Sequence, residues 1–255
     1  MGGPDTVTKT IGLIGAGMIG GTVARLAVAA GLDVVLSNSR DPETLTDLVA
    51  DLGARARAAT PAEAALAGDL VVVAVPLHAH EQLPTTELVG KVVIDTMNYY
   101  PERDGRIGEL DAQAVTSSEL VRGHLVGSRL VKAFNNISFQ SLLTLARPAG
   151  APDRSALPIA GDDPEAKDEV AELLDALGYD AVDIGALADS WRSEPGTPVY
   201  GRPYFPAERP PGLNRDEAFR WFLETPSVPV SADQVRELTA DVVRGTPGGV
   251  LPDDA

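Results

Sequence analysis

The stretch that most constrains this chain is GAGMIG, residues 15–20, set between an apolar run and a segment of helical periodicity. KTIGLIG (9–15) reads as a short strand ending in glycine, and MIGGTVARLAVAAG (18–31) as a helix with its own terminal glycine. A strand that turns through G-x-G-x-x-G into a helix forms a phosphate cradle: Gly15 allows the tight turn, Gly17 a close backbone approach, and Gly20 the packing of helix on strand. The loop residues Ala16, Met18 and Ile19 complete it, with the helix N-terminus offering free N–H groups and a positive dipole end to an anion.

The same alternation continues downstream. DVVLS (33–37) leads into a helix over 42–53; ARAR (54–57) is a weak third strand; TPAEAALA (60–67) starts a helix with Thr60, Pro61 and Glu63 as cap and capping box. DLVVVAVP (69–76), KVVIDTMN (91–98) and SRLVKAFNN (128–136) supply three more strands, with a helix over SSELVRGH (117–124). Continuous valine-rich runs suit parallel strands covered on both faces. The fold class is therefore α/β, a doubly wound parallel sheet of Rossmann type. ALPIAGDD (156–163), a helix over 164–178 and YDAVDIG (179–185) extend it with extra strands. From Glu194 the texture changes: EPGTPVYGRPYFPAERPPG is too rich in proline and glycine for a helix or a central strand, and reads as an extended arm. Two short amphipathic helices (214–224 and 231–244) and a disordered end come after it. The expected division is a flexible tail over 1–8, a dinucleotide-binding domain over 9–192, and a Pro-rich arm with short helices over 193–255 that makes a dimer contact. The aromatics at its start and within it, Trp191, Tyr200, Tyr204, Phe205 and Trp221, are expected to be exposed, covering either a second subunit or the chain's own sheet edge.

The dinucleotide reader is expected where the second strand ends. An acid there would bind the ribose hydroxyls of NAD, but LSNSRD (36–41) offers Asn38, Ser39 and Arg40. Arg40 can make a charge-assisted bond to a 2′-phosphate, and the Ser39 hydroxyl and Asn38 amide can donate to it, which predicts NADP(H) over NAD(H). Asp41, just before Pro42, belongs at a helix N-cap. The nicotinamide should then be lined by the segments after the fourth, fifth and sixth strands: Val75, Pro76 and Leu77; Thr96 and Asn98; Asn135 and Asn136. Leu77 is expected against the nicotinamide, and Thr96 with the three amides against its carboxamide or the polar edge of a second ring. His78 and His80, with Asn98, are the candidate catalytic groups; each histidine reads equally well as a surface residue at a helix start. Neither a Ser-His-Asp arrangement nor a Tyr-Lys pair is evident, which suits hydride transfer between two preformed redox rings, where alignment and exclusion of water do most of the work.

Composition narrows the rest. The formal net charge of -16 disfavours nucleic acid and anionic membranes as partners. The absence of cysteine excludes disulfides and thiolate chemistry, and the three histidines suggest no metal cluster. MGGPDTVTKT has neither a basic start nor an apolar core, and no apolar run approaches a membrane span, so a cytoplasmic location is expected.

Residues 11–40, with VVVAVP, VVIDTMNYY, VKAFNN and the run from PIAGDD to ADSW, resemble the family of NADPH-dependent reductases of the deazaflavin coenzyme F420, whose fold also includes the cytosolic reductase domain of membrane ferric reductases. The resemblance spans roughly residues 9 to 192. It implies that Ser39 and Arg40 bind the NADP phosphate, that the protein is a homodimer, and that a second coenzyme docks near 76–80, 96–98 and 134–137. The chain departs from the family pattern at Leu77, where family members often carry a tryptophan followed by a histidine, and from Glu194, where the arm replaces a helix that completes the site. Three readings are open: hydride transfer between NADPH and coenzyme F420 or a flavin; NADPH-dependent reduction of a small carbonyl or imine with His78, His80 or Tyr99 as acid; or a non-catalytic NADP(H)-binding redox sensor.

Overall fold

The computed structural model describes residues 9–206 and 209–249. Its sheet contains β1 (Thr10–Ile14), β2 (Asp33–Ser37), β3 (Ala56–Ala58), β4 (Leu70–Val73), β5 (Val92–Asp95), β6 (Arg129–Lys132), β7 (Ala156–Gly161) and β8 (Asp180–Asp183). Their order is β3-β2-β1-β4-β5-β6-β7-β8. Strands β1 to β6 pair in parallel, and the order reverses between β1 and β4, which places the ligand crevice beyond their carboxyl ends. The expected extra strands do extend the sheet; β7 runs antiparallel to β6 and β8 parallel to β7.

Valine-rich strands work here because both faces are covered. On one face Ile11, Leu13, Val72, Ile94 and Val131 pack against α1 (Met18–Ala29), α7 (Phe139–Thr144) and α8 (Pro164–Ala176) through Val23, Ala27, Leu142, Val170 and Leu174. On the other, Ile14, Val71, Val73 and Val93 meet Ala65 of α3 (Pro61–Ala67), Leu110 of α5 (Gly108–Asp111) and Val121 of α6 (Ser117–His124). Burial of such side chains is worth about 1.5 to 3 kcal/mol each. The Thr60 capping box on α3 forms as expected, with Thr60 and Glu63 exchanging bonds. The expected helix over 42–53 is a 3₁₀ turn, Pro42–Leu45, running into α2 (Thr46–Leu52). Short α4 (Pro101–Asp104) comes after the β5 loop.

Among its described residues the arm forms no strand and carries only a 3₁₀ turn at Arg202–Tyr204, α9 (Arg215–Glu224) and α10 (Ala232–Ala240). It lies on the chain's own sheet: the Ala156 N–H donates to the Val230 carbonyl, and Val199, Tyr204, Val230 and Val235 belong to the main core. The expectation of exposed aromatics is therefore corrected. Tyr204 has no exposed surface, and Trp191, Tyr200, Phe205 and Trp221 are half-buried, Phe205 stacking on Trp221 at 6.0 Å. The expected disordered end is corrected as far as Gly249, whose N–H donates to the Tyr99 carbonyl; the rest of that end, with the 1–8 tail, lies outside the described residues. No helix among the described residues is long and apolar enough to cross a membrane.

Candidate active site

The glycine loop has the shape its spacing predicts. Gly15 sits at φ +102°, and a Cβ there would lie 2.3 Å from the Ala74 carbonyl oxygen; at Gly20 it would lie 1.9 Å from that of Gly15. Gly17 differs: a Cβ would meet nothing within 4 Å, so the space over its backbone is open. It is the N-cap of α1, no side chain caps the helix, and no acid lies in the first turn. A cradle of this kind suits a pyrophosphate.

Beside it, the stretch after β2 folds on itself. The Asn38 Oδ1 accepts from the Arg40 N–H at 2.8 Å, and its Nδ2 donates to the Thr44 hydroxyl at 2.9 Å. Such a turn locks the loop through short-range bonds. Asn38 thus shapes the turn while Ser39 and Arg40 stand exposed. Asp41 caps the 3₁₀ turn by accepting from the Glu43 N–H at 3.2 Å, so its carboxylate is committed to the backbone. The residues fit an NADP adenosine phosphate: a cation and a hydroxyl at the rim with no free acid among positions 37–40.

The nicotinamide side is built otherwise. Val75 is half-buried and Pro76 exposed at the mouth, but Leu77 has no exposed surface and packs with Ile14, Val73 and Val93. Its expected place against the nicotinamide is corrected: an apolar side chain opening the 3₁₀ helix Leu77–Gln82 gains more by turning under the sheet. Thr96, Asn98, Asn135 and Asn136 gather at the ends of β5 and β6, as expected, yet their polar groups bond within the chain. Asn98 Nδ2 donates to the Asn135 carbonyl at 2.8 Å, and Asn135 Nδ2 donates to Asn98 Oδ1 at 3.1 Å and to the Ser193 carbonyl at 2.7 Å. Asn136 Nδ2 donates to the Val199 carbonyl and to the Tyr204 hydroxyl, and the Thr96 hydroxyl to the Val73 carbonyl. The assignment of Asn98 and Asn135 to a carboxamide is corrected accordingly: buried amides need partners, and the two supply each other while Ser193 completes the set for Asn135. Phe134, fully buried at φ +61°, makes the left-handed turn between β6 and these asparagines.

The candidate acids also separate. His78 is exposed, with its Nδ1 3.0 Å from Asp104 Oδ1. Burial works to raise the Asp104 carboxyl, but hydrogen bonds from Arg103, the Tyr100 N–H and His78 prevail and hold it below the ordinary carboxylate value. His80 Nδ1 donates to the Leu77 carbonyl at 2.9 Å, and the ring meets His124 edge-on at 5.8 Å. Tyr99 is corrected as a candidate acid: it is buried, its hydroxyl donates to Asp111 and accepts from the Ile107 N–H, and burial raises its pKa.

Sequence reasoning misses a buried ionic cluster beneath this mouth. Lys132 and Asp95 are register partners in β6 and β5, 3.3 Å apart and without exposed surface. Their signal is a charge of each sign at the end of two adjacent apolar runs. A recess of about 320 Å³ lies elsewhere, between β8 and α10 at the opposite sheet edge from β3, and its Arg192 and Arg236 pair with Asp189 and Asp233.

The family model described as NADP oxidoreductase, coenzyme F420-dependent, matches residues 10–99, which hold the glycine loop, the Asn38–Arg40 stretch and the 75–98 mouth. The F420-dependent NADP reductase of Methanothermobacter marburgensis is 31% identical over 204 residues, covering 70% of this chain and 84% of that protein. Metalloreductase STEAP3 of Rattus norvegicus is 30% identical over 182 residues; the match takes in 71% of this chain, which spans only 34% of the metalloreductase's length. Among solved structures, a hypothetical protein of Sinorhizobium meliloti superposes with a TM-score of 0.67 at 30% identity, covering 76% of this chain and 94% of its own. On the glycine loop, the Ser39–Arg40 rim and these likenesses together, the chain belongs to the family of coenzyme F420-dependent NADP oxidoreductases.

Proposed function

We propose that this chain is an oxidoreductase that passes hydride between NADPH and a deazaflavin or flavin coenzyme. The observation that carries the reading is the exposed Ser39–Arg40 pair, held by the Asn38 turn beside the open Gly17 cradle. The Gly15–Gly20 backbone would hold the pyrophosphate, and Ser39 and Arg40 the 2′-phosphate. Bound NADPH supplies the hydride; the chain's own contribution is to grip it at the phosphate end and exclude water at the other. Relatives of the family act on coenzyme F420 by name, which favours that acceptor. Mixing the protein with NADPH and the oxidised deazaflavin should bleach the deazaflavin's visible absorbance; unchanged absorbance at high protein concentration sinks the reading. A homodimer through the arm, where α9 leaves Phe219 and Leu223 exposed, is part of the proposal and is checked by light scattering.

The His78–Asp104 pair favours a second reading, reduction of a small carbonyl or imine. An imidazole oriented through Nδ1 by a carboxylate keeps Nε2 for proton transfer. His78→Ala separates the two: it abolishes turnover with a carbonyl or imine acceptor and leaves hydride transfer between rings intact.

A further inference from the structure

The buried cluster under the mouth is a continuous polar chain. The Asp95 Oδ1 accepts from the Met97 N–H at 2.8 Å, and its Oδ2 accepts from the Ser118 hydroxyl at 2.6 Å and from Lys132 at 3.3 Å. The Lys132 ammonium donates also to the Met97 carbonyl and to the Ser117 hydroxyl at 3.0 Å. Ser117 in turn donates to Glu194 Oε1 through its hydroxyl, at 2.6 Å, and through its N–H, at 3.2 Å. All three ammonium hydrogens are thus matched by acceptors, in a site where an unmatched charge is costly.

The bonded groups tie two segments together. Met97 is the middle residue of the Thr96–Asn98 segment that follows β5, and the pair grips it by both its N–H and its carbonyl. Glu194 is the residue at which the Pro-rich arm begins, immediately after the 3₁₀ helix Leu187–Ser193. One lysine therefore joins the stretch after β5 at the nicotinamide side to the root of the segment that covers it. Replacing such a pair by apolar residues is commonly neutral or stabilising in proteins, so stability alone gives little reason for a buried Lys-Asp pair here.

We propose that Lys132 is a positioning residue for hydride transfer: with Asp95 it sets the backbone of residues 96–98 and, through Ser117 and Glu194, the arm root, so that the nicotinamide ring is immobilised. The inference rests on the NADPH reading above and concerns only the ring end of the cofactor. The Ser39–Arg40 rim is a separate grip, made by other elements.

Nicotinamide fluorescence of bound NADPH reports immobilisation of the ring without need of an acceptor. In Lys132→Met the NADPH dissociation constant should stay within about twofold, as for independent sites, while most of the emission gained on binding disappears. Turnover with the deazaflavin should fall by about 100-fold, the scale of a 1 Å misplacement. Ser117→Ala, which keeps both charges, carries the test should Lys132→Met not fold, and should show the same signature with turnover lowered about tenfold. The control is Arg154→Met: Arg154 is also buried, pairs with Asp175 of α8 and Asp180 of β8, away from the mouth, and should lose stability but neither emission nor turnover. Full emission in both mouth variants, or an equal loss in Arg154→Met, overturns the inference. Failure of the unmodified protein to bind NADPH overturns the cofactor reading itself, and this inference with it.

Discussion

The two ends of the crevice are made of similar residue types in opposite ways. At the proposed phosphate end Asn38 bonds Arg40 and Thr44, two and six positions along the chain, and the side chains of Ser39 and Arg40 are exposed. At the ring end Asn98, Asn135 and Asn136 bond partners 37, 58 and 68 positions away, and their amide groups are turned into the interior. An asparagine beside a turn has its own backbone within reach; an asparagine at a strand end under a covering segment has whatever the fold delivers. The phosphate end is thus a local device displayed by the fold, and the ring end is part of what holds the fold closed.

The largest expected effect tests the ring end. Asn135→Ala removes the bonds to Asn98 and Ser193 and leaves buried groups unpaired, so denaturant unfolding should register a loss of roughly 2 to 3 kcal/mol, with the preference for NADPH over NADH unchanged. A variant as stable as the parent breaks the contrast. Next, Arg40→Ala should weaken NADPH by roughly 1.5 to 3 kcal/mol in titrations, leave NADH nearly untouched, and leave stability unchanged; tighter binding of NADH than NADPH by the parent protein defeats the phosphate-reader assignment. Asp41→Ala sharpens it: loss of an exposed cap should lower stability by about 0.5 to 1 kcal/mol with no shift in cofactor preference, whereas improved NADPH binding at the expense of NADH would make Asp41 the ribose acid. The smallest effect is in acid. The Asp104 carboxyl titrates lower folded than its ordinary value of about 3.9, so it contributes stability above that value and loses it as pH falls through the lower folded value. Below about pH 4, Asp104→Asn should unfold along a shallower acid profile than the parent, and coincident profiles refute the assignment.

Gly15 is readable through the positive φ of its tight turn and Gly20 through its approach to Gly15, five residues back, although the Ala74 carbonyl that also crowds Gly15 is not; the Thr60 and Asp41 caps are readable because their bonds span three residues or fewer. Leu77 is not: its position after Pro76 says that it opens a turn, and only the packing of Ile14, Val73 and Val93 says on which side of it the sheet lies. Tyr204 reads as an exposed aromatic because a Pro-rich stretch predicts no strand, and absence of a strand does not exclude burial. Lys132 and Asp95 are visible as charges in apolar runs, but their pairing needs the register of β5 against β6.

By itself, then, the sequence determined the βα alternation, the turn of the glycine loop, the exposure of Ser39 and Arg40 and the helix starts, which are written in local periodicity and in spacings of a few residues. Only the tertiary structure decided that the arm folds back over the ring end, that the asparagines there serve the interior, and that Lys132 meets Asp95, Met97 and Ser117. Those outcomes depend on which distant segments share a buried volume, and a polar side chain enclosed there bonds the groups that burial brings within reach.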